Sequence, residues 1–424
     1  MKISELISFI HEGKLNEKLI ELYGEQTLSE QTKRYESILT SAKDAFGDEE
    51  ARIFSAPGRT EVGGNHTDHQ LGKVLAASLN LDVVACVIPT NDSIVTYESK
   101  GYSVKPVDVS DIEINMDEKN STEALIRGVA AGFNQRGYKA GGFKCYAESD
   151  VINGGGMSSS AAFEVLLGTI QNDLYNDGKV SSEDIAKIGQ YAENVYFMKA
   201  SGLLDQMACS VGSFAAMDFK DPENPIVVKV PFDPSDYGYD LIITDVKASH
   251  ADLSDEYSMV PLEMKAAAKV LGHDVLGEST MDELLSHVKE VREKCGDRAF
   301  LRAYHFLQET ERAQKEADAL QNKDIDLFLK LVRESGHSSW MYLQNISVPQ
   351  TPNSQAVAIG LALSESIIGE DGAYRIHGGG FAGTIQAFVK KETTNKFIQL
   401  MESSFGEGCC YILRIRNVGG IRLV

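Results

Sequence analysis

The sequence predicts an α+β protein of two domains, and three observations indicate this. At 424 residues the chain is longer than one hydrophobic core usually supports. Residues 1–50 place apolar side chains at helical spacing, whereas short β-rich runs separated by polar turns begin at Ile53. A long helical stretch from about 255 to 340 then precedes a strand–loop–helix–strand ending.

Turn-forming residues indicate where the two domains meet. The segment 218–238 carries four of the ten prolines, although the run 226–230 inside it fits an edge strand. We therefore expect an N-terminal domain at 1–225 and a C-terminal domain at 226–424.

Composition excludes several classes of partner. The net charge of −21 argues against nucleic-acid and anionic-membrane binding, because both need a basic face. No apolar run approaches the ~20 residues that span a bilayer, and the N-terminus lacks the apolar block of a signal peptide. The six cysteines show no CxxC spacing, which is typical of free thiols in a reducing compartment. We expect a cytoplasmic protein.

A glycine-rich loop at 153–156 leads into a strong helical pattern and is the first candidate for a phosphate site. Glycines let the backbone approach a phosphate closely, and the following helix turns its positive end toward it. The loop matches neither GxxxxGK[ST] nor GxGxxG. A plain turn whose serines only cap the helix stays open as an alternative. The candidate ATP-binding residues are Gly154, Gly155, Gly156, Ser158, Ser159 and Ser160.

Five ordered segments together resemble the galactokinases of the GHMP kinase superfamily. They cover nearly the whole chain from about residue 40 onward. The segments are APGRTEVGGNHTDHQLGKVLAASLN (56–80), the NGGGMSSSAA loop (153–162), GLLDQ (202–206), RAYHFLQETERA (302–313) and RIHGGGFAGTIQAFV (375–389). The resemblance implies a two-domain fold with ATP and sugar bound in the cleft between the domains. It also implies ATP-dependent phosphorylation of the anomeric hydroxyl of galactose, with Mg²⁺ as cofactor.

The resemblance assigns two catalytic residues. Asp205 matches the family's base, since a carboxylate in hydrogen-bond reach can accept the proton of the attacking hydroxyl. Arg59 matches the arginine that keeps this carboxylate ionised and offsets charge on the transferring phosphoryl group. Without the resemblance, Asp205 would fit a helix cap and Arg59 a surface ion pair.

The resemblance also assigns ligands for the metal and the sugar. Ser160 and Glu193 match the Mg²⁺ ligands, and one hydroxyl plus one carboxylate suits an ion that keeps several waters. The residues that match sugar contacts are Asn65, His66, Asp68, Gly202 and Tyr257, the last across a two-residue insertion. The glycines at 378–380 either approach the substrate, support the first loop, or only pack a strand tightly.

Several positions depart from the family pattern. The family's glutamate before HTD is Asn65 here, its asparagine after the arginine is Glu61, and its tyrosine after the aspartate is His69. The family's adenine-stacking tryptophan falls near Thr122, whereas the single tryptophan of this chain is Trp340.

These departures keep two alternatives beside galactose phosphorylation. One is a related sugar-1-kinase, acting on galacturonate or another galactose-like sugar. The other is a non-catalytic sensor of galactose and ATP, although Ser158, Ser159, Ser160 and Asp205 are all retained. We expect a monomer that binds the sugar and ATP.

Overall fold

The computed structural model describes residues 1–152, 156–199, 201–248 and 253–424. The strands of this part of the chain are β1 Arg52–Gly63, β2 Lys73–Pro89, β3 Ile94–Ser99, β4 Tyr102–Ser103, β5 Val107–Asp108, β6 Phe143–Ser149, β7 Phe214–Asp218, β8 Ile226–Val230, β9 Tyr239–Ala248, β10 Ala373–Ile376, β11 Gly383–Lys390, β12 Cys410–Leu413 and β13 Ile421–Arg422. The α-helices are α1 Ile3–His11, α2 Asn16–Tyr23, α3 Leu28–Phe46, α4 Thr122–Gln135, α5 Ser159–Tyr175, α6 Ser182–Tyr191, α7 Leu204–Val211, α8 Ser254–Val270, α9 Met281–Ser286, α10 Val288–Cys295, α11 Asp297–Gln321, α12 Ile325–Ser338, α13 Ala356–Ile368 and α14 Thr394–Phe405. Two π-helical turns follow α6 and α12, at Ala192–Phe197 and Ser339–Leu343.

The larger sheet has the strand order β13-β1-β2-β6-β3-β4, with β5 paired to β3 and the hairpin β7–β8 joined to β2. Its pairings are antiparallel apart from the parallel pair β3–β6. Strand β2 is buried on both faces. Its successive side chains point in opposite directions, and a hydrophobic core lies on each side of the sheet. Val84 and Cys86 pack in one core with α1–α3, whereas Val83 and Ala85 face another core that includes α5.

The smaller sheet has the order β10-β11-β9-β12, and the pairings along it are antiparallel. One face packs on α13 and α14 through residues such as Ile385 and Phe397. The other face packs toward α12, where Phe388 meets the ring of Phe328 at 5.4 Å between centroids. A separate apolar cluster joins α8, α10 and α11.

The sequence predictions for the elements are largely confirmed. The N-terminal residues form α1–α3, the run after the glycine loop forms α5, and 226–230 is β8, paired to β7 within its sheet. The predicted helical stretch contains α8–α12. Among the described residues, no helix combines the length and apolarity needed to cross a membrane.

The division into 1–225 and 226–424 stays a prediction. Strand β8 begins at residue 226 yet pairs with β7, and β13 returns to pair with β1. The larger sheet therefore includes two strands from the C-terminal part of the sequence.

Candidate active site

Arg59 and Asp205 meet at the centre of the site. Nε and Nη2 of Arg59 both lie 2.7 Å from Oδ1 of Asp205. The other carboxylate oxygen accepts a hydrogen bond from Ser158, and Arg59 also donates to the carbonyl of Gly156. The predicted acid, the predicted guanidinium and the described end of the glycine loop therefore converge on one place.

Local backbone geometry brings Arg59 to the glycine loop. Strand β1 shifts register against β2 between Pro57 and Arg59, and such irregularities re-aim side chains. The amide of Arg59 donates to the carbonyl of Met157 at 3.2 Å. A side chain at Gly58 would lie 3.1 Å from that same carbonyl, so glycine permits the close approach.

Electrostatics keep Arg59 charged. Burial of the guanidinium opposes its charge, but Asp205 and Glu61 outweigh burial and raise the pKa of Arg59. The arginine side chain is only 9% exposed, whereas Asp205 is 31% exposed and open to a ligand. In such an ion pair the arginine positions the carboxylate, and the exposed part of the carboxylate can accept a proton from a bound ligand.

Ser158 begins α5 differently from the predicted helix cap. Its backbone has φ +54°, and its hydroxyl donates to Asp205. The next residues, Ser159 and Ser160, form the first turn of α5. The hydroxyl at 158 thus joins the cluster formed by Arg59 and Asp205.

The proposed metal ligands Ser160 and Glu193 are neighbours. The Ser160 hydroxyl donates to Oε1 of Glu193 at 3.0 Å, and Glu193 lies in the π-helical turn after α6. π-helical turns occur frequently at functional sites. A hydroxyl and a carboxylate suit Mg²⁺ when waters and nucleotide oxygens complete its coordination, so the residues present fit this ion.

Behind Glu193 lies a buried carboxyl group that the sequence analysis missed. Nε2 of Gln206 donates to Oε2 of Glu193 at 2.8 Å and to Oε2 of Glu164 at 2.9 Å. Burial, followed by the charge of Glu193, raises the pKa of Glu164 well above its ordinary value. Glu164 stands four residues after Ser160 on α5, a helical spacing from which the sequence could have identified it.

The predicted sugar residues His66, Asp68 and Gly202 surround the same site. His66 has φ +59°, and its Nε2 lies 2.9 Å from the carbonyl of Gly379. Gly202 faces Asp68 so closely that a side chain there would come within 2.1 Å of its carboxylate. Burial and the charge of Asp205 raise the pKa of Asp68 to about 6.

The second glycine turn, at 378–380, contacts the segment 56–80 that contains most of the predicted sugar residues, called here the sugar segment. Its carbonyls accept hydrogen bonds from Asn65, His66 and Tyr257, the last from the phenol hydroxyl at 2.8 Å. A side chain at Gly379 would come within 2.6 Å of the Tyr257 ring. Tyr257 is thereby placed beside the sugar residues, as the resemblance implied.

Comparisons with known proteins identify similar sequences and similar folds. The galactokinase galactose-binding signature matches residues 43–89, and the GHMP kinases N terminal domain matches residues 124–213. The galactokinase of Streptomyces coelicolor is 28% identical over 366 residues, which cover 86% of this chain and 91% of that protein. The chain thus carries a galactokinase signature and a GHMP kinase domain, and it is similar to galactokinases over most of its length.

Further similar proteins align with most of this chain. The galactokinase of Clostridium tetani is 28% identical over 85% of this chain and 90% of its own. A crystal structure of Lactococcus lactis galactokinase with galactose superposes with a TM-score of 0.77 at 23% identity, covering 91% of this chain and 99% of that one. Methanococcus jannaschii mevalonate kinase gives a TM-score of 0.59 at 14% identity, covering 86% and 98%. These two structures confirm the predicted GHMP kinase fold.

The predicted sugar contact Asn65 makes several hydrogen bonds within the protein. Asn65 is fully buried, and its amide nitrogen donates to Oε1 of Glu61 at 2.7 Å and to the carbonyl of Gly378 at 2.9 Å. Its amide oxygen accepts from Asn345 at 2.8 Å. Protein groups therefore bond to both ends of the Asn65 amide, and its role as a sugar contact stays a prediction.

Two further predictions concern the nucleotide. Gly154 and Gly155 lie outside the described residues. Near Thr122, where the family's stacking tryptophan falls, the hydroxyl of Tyr102 lies 3.3 Å from the threonine hydroxyl. The tyrosine is 53% exposed, so an aromatic ring that the sequence analysis did not single out borders this position.

Proposed function

We propose that the protein transfers the terminal phosphoryl group of ATP to the anomeric hydroxyl of galactose, giving galactose 1-phosphate and ADP. The observation that carries the proposal is the contact of Asp205 with both Arg59 and Ser158, at the junction of the sugar segment and the glycine loop. The galactokinases similar in sequence support the same activity.

In the proposed reaction Asp205 accepts the proton of the anomeric hydroxyl as its oxygen attacks the terminal phosphorus. The new oxygen–phosphorus bond forms while the bond to the ADP oxygen breaks, and ADP leaves with the electron pair. Arg59 pairs with Asp205 and offsets negative charge on the phosphoryl oxygens. Backbone groups of the glycine loop and the start of α5 would hold the phosphates.

The metal of the proposed reaction is Mg²⁺, held by Ser160 and Glu193. When bound, it would neutralise charge between the terminal phosphates. Glu193 keeps its position because Gln206 holds one carboxylate oxygen and Ser160 the other. His66, Asp68 and Gly202 would line the sugar pocket, with Tyr257 at its edge.

Galactose is favoured over galacturonate by the charge of the pocket. His69, the departure that suggested a sugar acid, is neutral because burial and the neighbouring His66 lower its pKa to about 3. A neutral imidazole provides no positive charge for a carboxylate. Phosphorylation of galactose, galacturonate, arabinose and N-acetylgalactosamine should be compared with Mg²⁺ and ATP, and a preference for galacturonate would overturn this choice.

The catalytic proposal is tested by Asp205→Asn. The amide keeps a similar shape but cannot accept the proton, so kcat should fall by roughly 10²–10⁴-fold. Galactose-dependent ADP release should be followed, with thermal unfolding to establish that the fold is intact. Asp177→Asn, an exposed aspartate paired with Lys179, serves as the matched control and should keep full activity. Undiminished turnover in Asp205→Asn would reject the assignment, whereas ligand binding without turnover in the unaltered protein would favour the sensor.

We also propose that the enzyme is a cytoplasmic monomer. All six cysteines are free thiols, and even the adjacent Cys409 and Cys410 form no disulfide. Free thiols suit a reducing compartment. Light scattering of the purified protein should give a mass near 46.3 kDa, and twice this mass would reject the monomer.

A further inference from the structure

Lys199 occupies the carboxylate oxygen that a metal ion would need. Its Nζ lies 2.8 Å from Oε1 of Glu193, the same oxygen that accepts the Ser160 hydroxyl. The lysine side chain is 57% exposed, whereas Glu193 is only 2% exposed. A mobile ammonium on a long aliphatic stem therefore covers a fixed and buried carboxylate.

The surroundings of Lys199 are acidic. Glu193 pairs with its ammonium directly, and Asp205 and Glu164 also attract it. A lysine is charged at neutral pH, and here it compensates a carboxylate that would be costly to leave unpaired in a buried position.

The second oxygen of Glu193 cannot take over this pairing. Oε2 accepts the amide of Gln206, which is itself shared with Glu164. Oε1 is the Glu193 oxygen beside the Ser160 hydroxyl, so we expect a divalent ion held by both residues to use it, where the ion and the Lys199 ammonium would repel each other.

We propose that Lys199 is the resident counter-ion of the metal site and is exchanged for the divalent ion. The inference rests on the proposed role of Glu193 as a metal ligand. In the metal-free protein the ammonium neutralises the buried carboxylate. When the ion arrives, the flexible side chain moves toward solvent, so the site exchanges one cation for another and avoids an unpaired buried charge.

Manganese binding in the absence of nucleotide and sugar tests the exchange. Removing the competing ammonium in Lys199→Met should tighten Mn²⁺ binding about fivefold, measured by electron paramagnetic resonance. Lys199→Arg, which keeps the charge, should bind Mn²⁺ about as the unaltered protein does. Lys179→Met removes an exposed lysine that pairs with Asp177 and should change nothing. Equal or weaker Mn²⁺ binding in Lys199→Met would overturn the proposal.

A second measurement needs no substitution at the site. Lys199 should react faster with an acetylating reagent when Mn²⁺ alone is present, because the displaced amine is free, and peptide mass spectrometry would quantify the modification. The reactivity of Lys179 should stay constant, and unchanged reactivity of Lys199 at saturating Mn²⁺ would overturn the exchange. Both measurements omit sugar and ATP, so their failure is distinguishable from a failure to phosphorylate galactose.

Discussion

Asp205 uses both carboxylate oxygens before any substrate arrives. Arg59 holds Oδ1, and Ser158 donates to Oδ2. The ion pair is compatible with proton transfer, since a guanidinium stabilises the ionised base. The serine hydrogen bond competes directly with a sugar hydroxyl, so we infer that binding galactose replaces the Ser158 donor at Oδ2.

If Asp68 binds the sugar as proposed, sugar binding is expected to depend on pH. Its pKa of about 6 means that the carboxylate is protonated below this pH and accepts fewer hydrogen bonds from sugar hydroxyls. We expect the KM for galactose to rise as the pH falls from 7 to 5, and Asp68→Asn should remove that dependence while raising KM at pH 7. Steady-state kinetics across this range would check it, and a pH-dependent KM that persists in Asp68→Asn would contradict the assignment.

Ionisation of Asp68, which should favour sugar binding, is expected to lower the stability of the fold. An aspartate whose pKa is raised on folding binds more protons in the native state, so its ionisation lowers stability as the pH rises from about 4 through about 6. Asp68→Asn removes this penalty, so thermal unfolding at pH 7 should show no loss of stability. The variant would thus lose sugar affinity without loosening the fold.

Glu61 and Asn65 exchange the residue types that the family pattern places at these positions. The structure shows a reason, because the two side chains share a hydrogen bond of 2.7 Å and Glu61 lies 3.3 Å from Arg375. Asn65→Glu would set two carboxylates together, and Glu61→Asn would deprive the buried arginine of its partner. We expect each single variant to lose stability and the double variant to recover, with a coupling of about 1–3 kcal/mol.

Urea unfolding of the four proteins measures this coupling. The comparison works because the double variant restores one acid and one amide at the same contact. Additive losses in the double variant would show that the two departures are independent.

At the scale of elements, the sequence predicted those with an uninterrupted pattern. Helix α5 follows a long helical run, and β2 contains a continuous apolar stretch. The full length of β1 was not predicted, since Pro57 and Gly58 interrupt the pattern at the irregularity that aims Arg59. The π-helical turn around Glu193 had no sequence signal, because a local widening of a helix depends on tertiary packing.

The sequence likewise predicted only part of the candidate site. The resemblance located Arg59, Asp205, Ser160 and Glu193, and the structure brings each pair into contact. Their roles stay predictions. Sequence reasoning could not find Lys199, because its contact with Glu193 depends on the π-helical turn that ends just before this lysine.

Asp82 on β2 joins three elements through buried polar contacts. It accepts hydrogen bonds from Arg34 of α3 at 2.8 Å, from Tyr23 of α2 at 2.5 Å, and from Arg416 near the C-terminus at 2.9 Å. Asp82→Ala would leave the buried guanidinium of Arg416 without its acidic partner and Arg34 with Asp150 alone, which costs about 3–5 kcal/mol. Chemical denaturation should show this loss, and Asp177→Ala, at an exposed pair, should leave stability unchanged. Equal stability of the two variants would show that Asp82 contributes little.

At the scale of the whole molecule, the last residues complete the first sheet. Strand β13 pairs with Phe54 and Ser55 of β1, and Arg416 donates to the Ser55 hydroxyl at 2.6 Å. The strand that presents Arg59 is therefore supported along one edge by residues more than 350 positions later in the sequence.

Removal of residues 414–424 should consequently destabilise the protein as a whole. The truncation exposes the edge of β1 and leaves Asp82 without Arg416, so we expect a lower urea midpoint and loss of activity. Arg414→Ala is the control, because this arginine is 45% exposed and should contribute little. An unchanged midpoint in the truncated protein would contradict this account.

The pairing of β13 with β1 also bears on biosynthesis. Translation proceeds from the N-terminus, and the ribosome shields the newest segment of a nascent chain. Strand β1 therefore pairs with β13 only after the residues between them have been synthesised, and so distant a contact forms at a loop-closure cost that other contacts must offset.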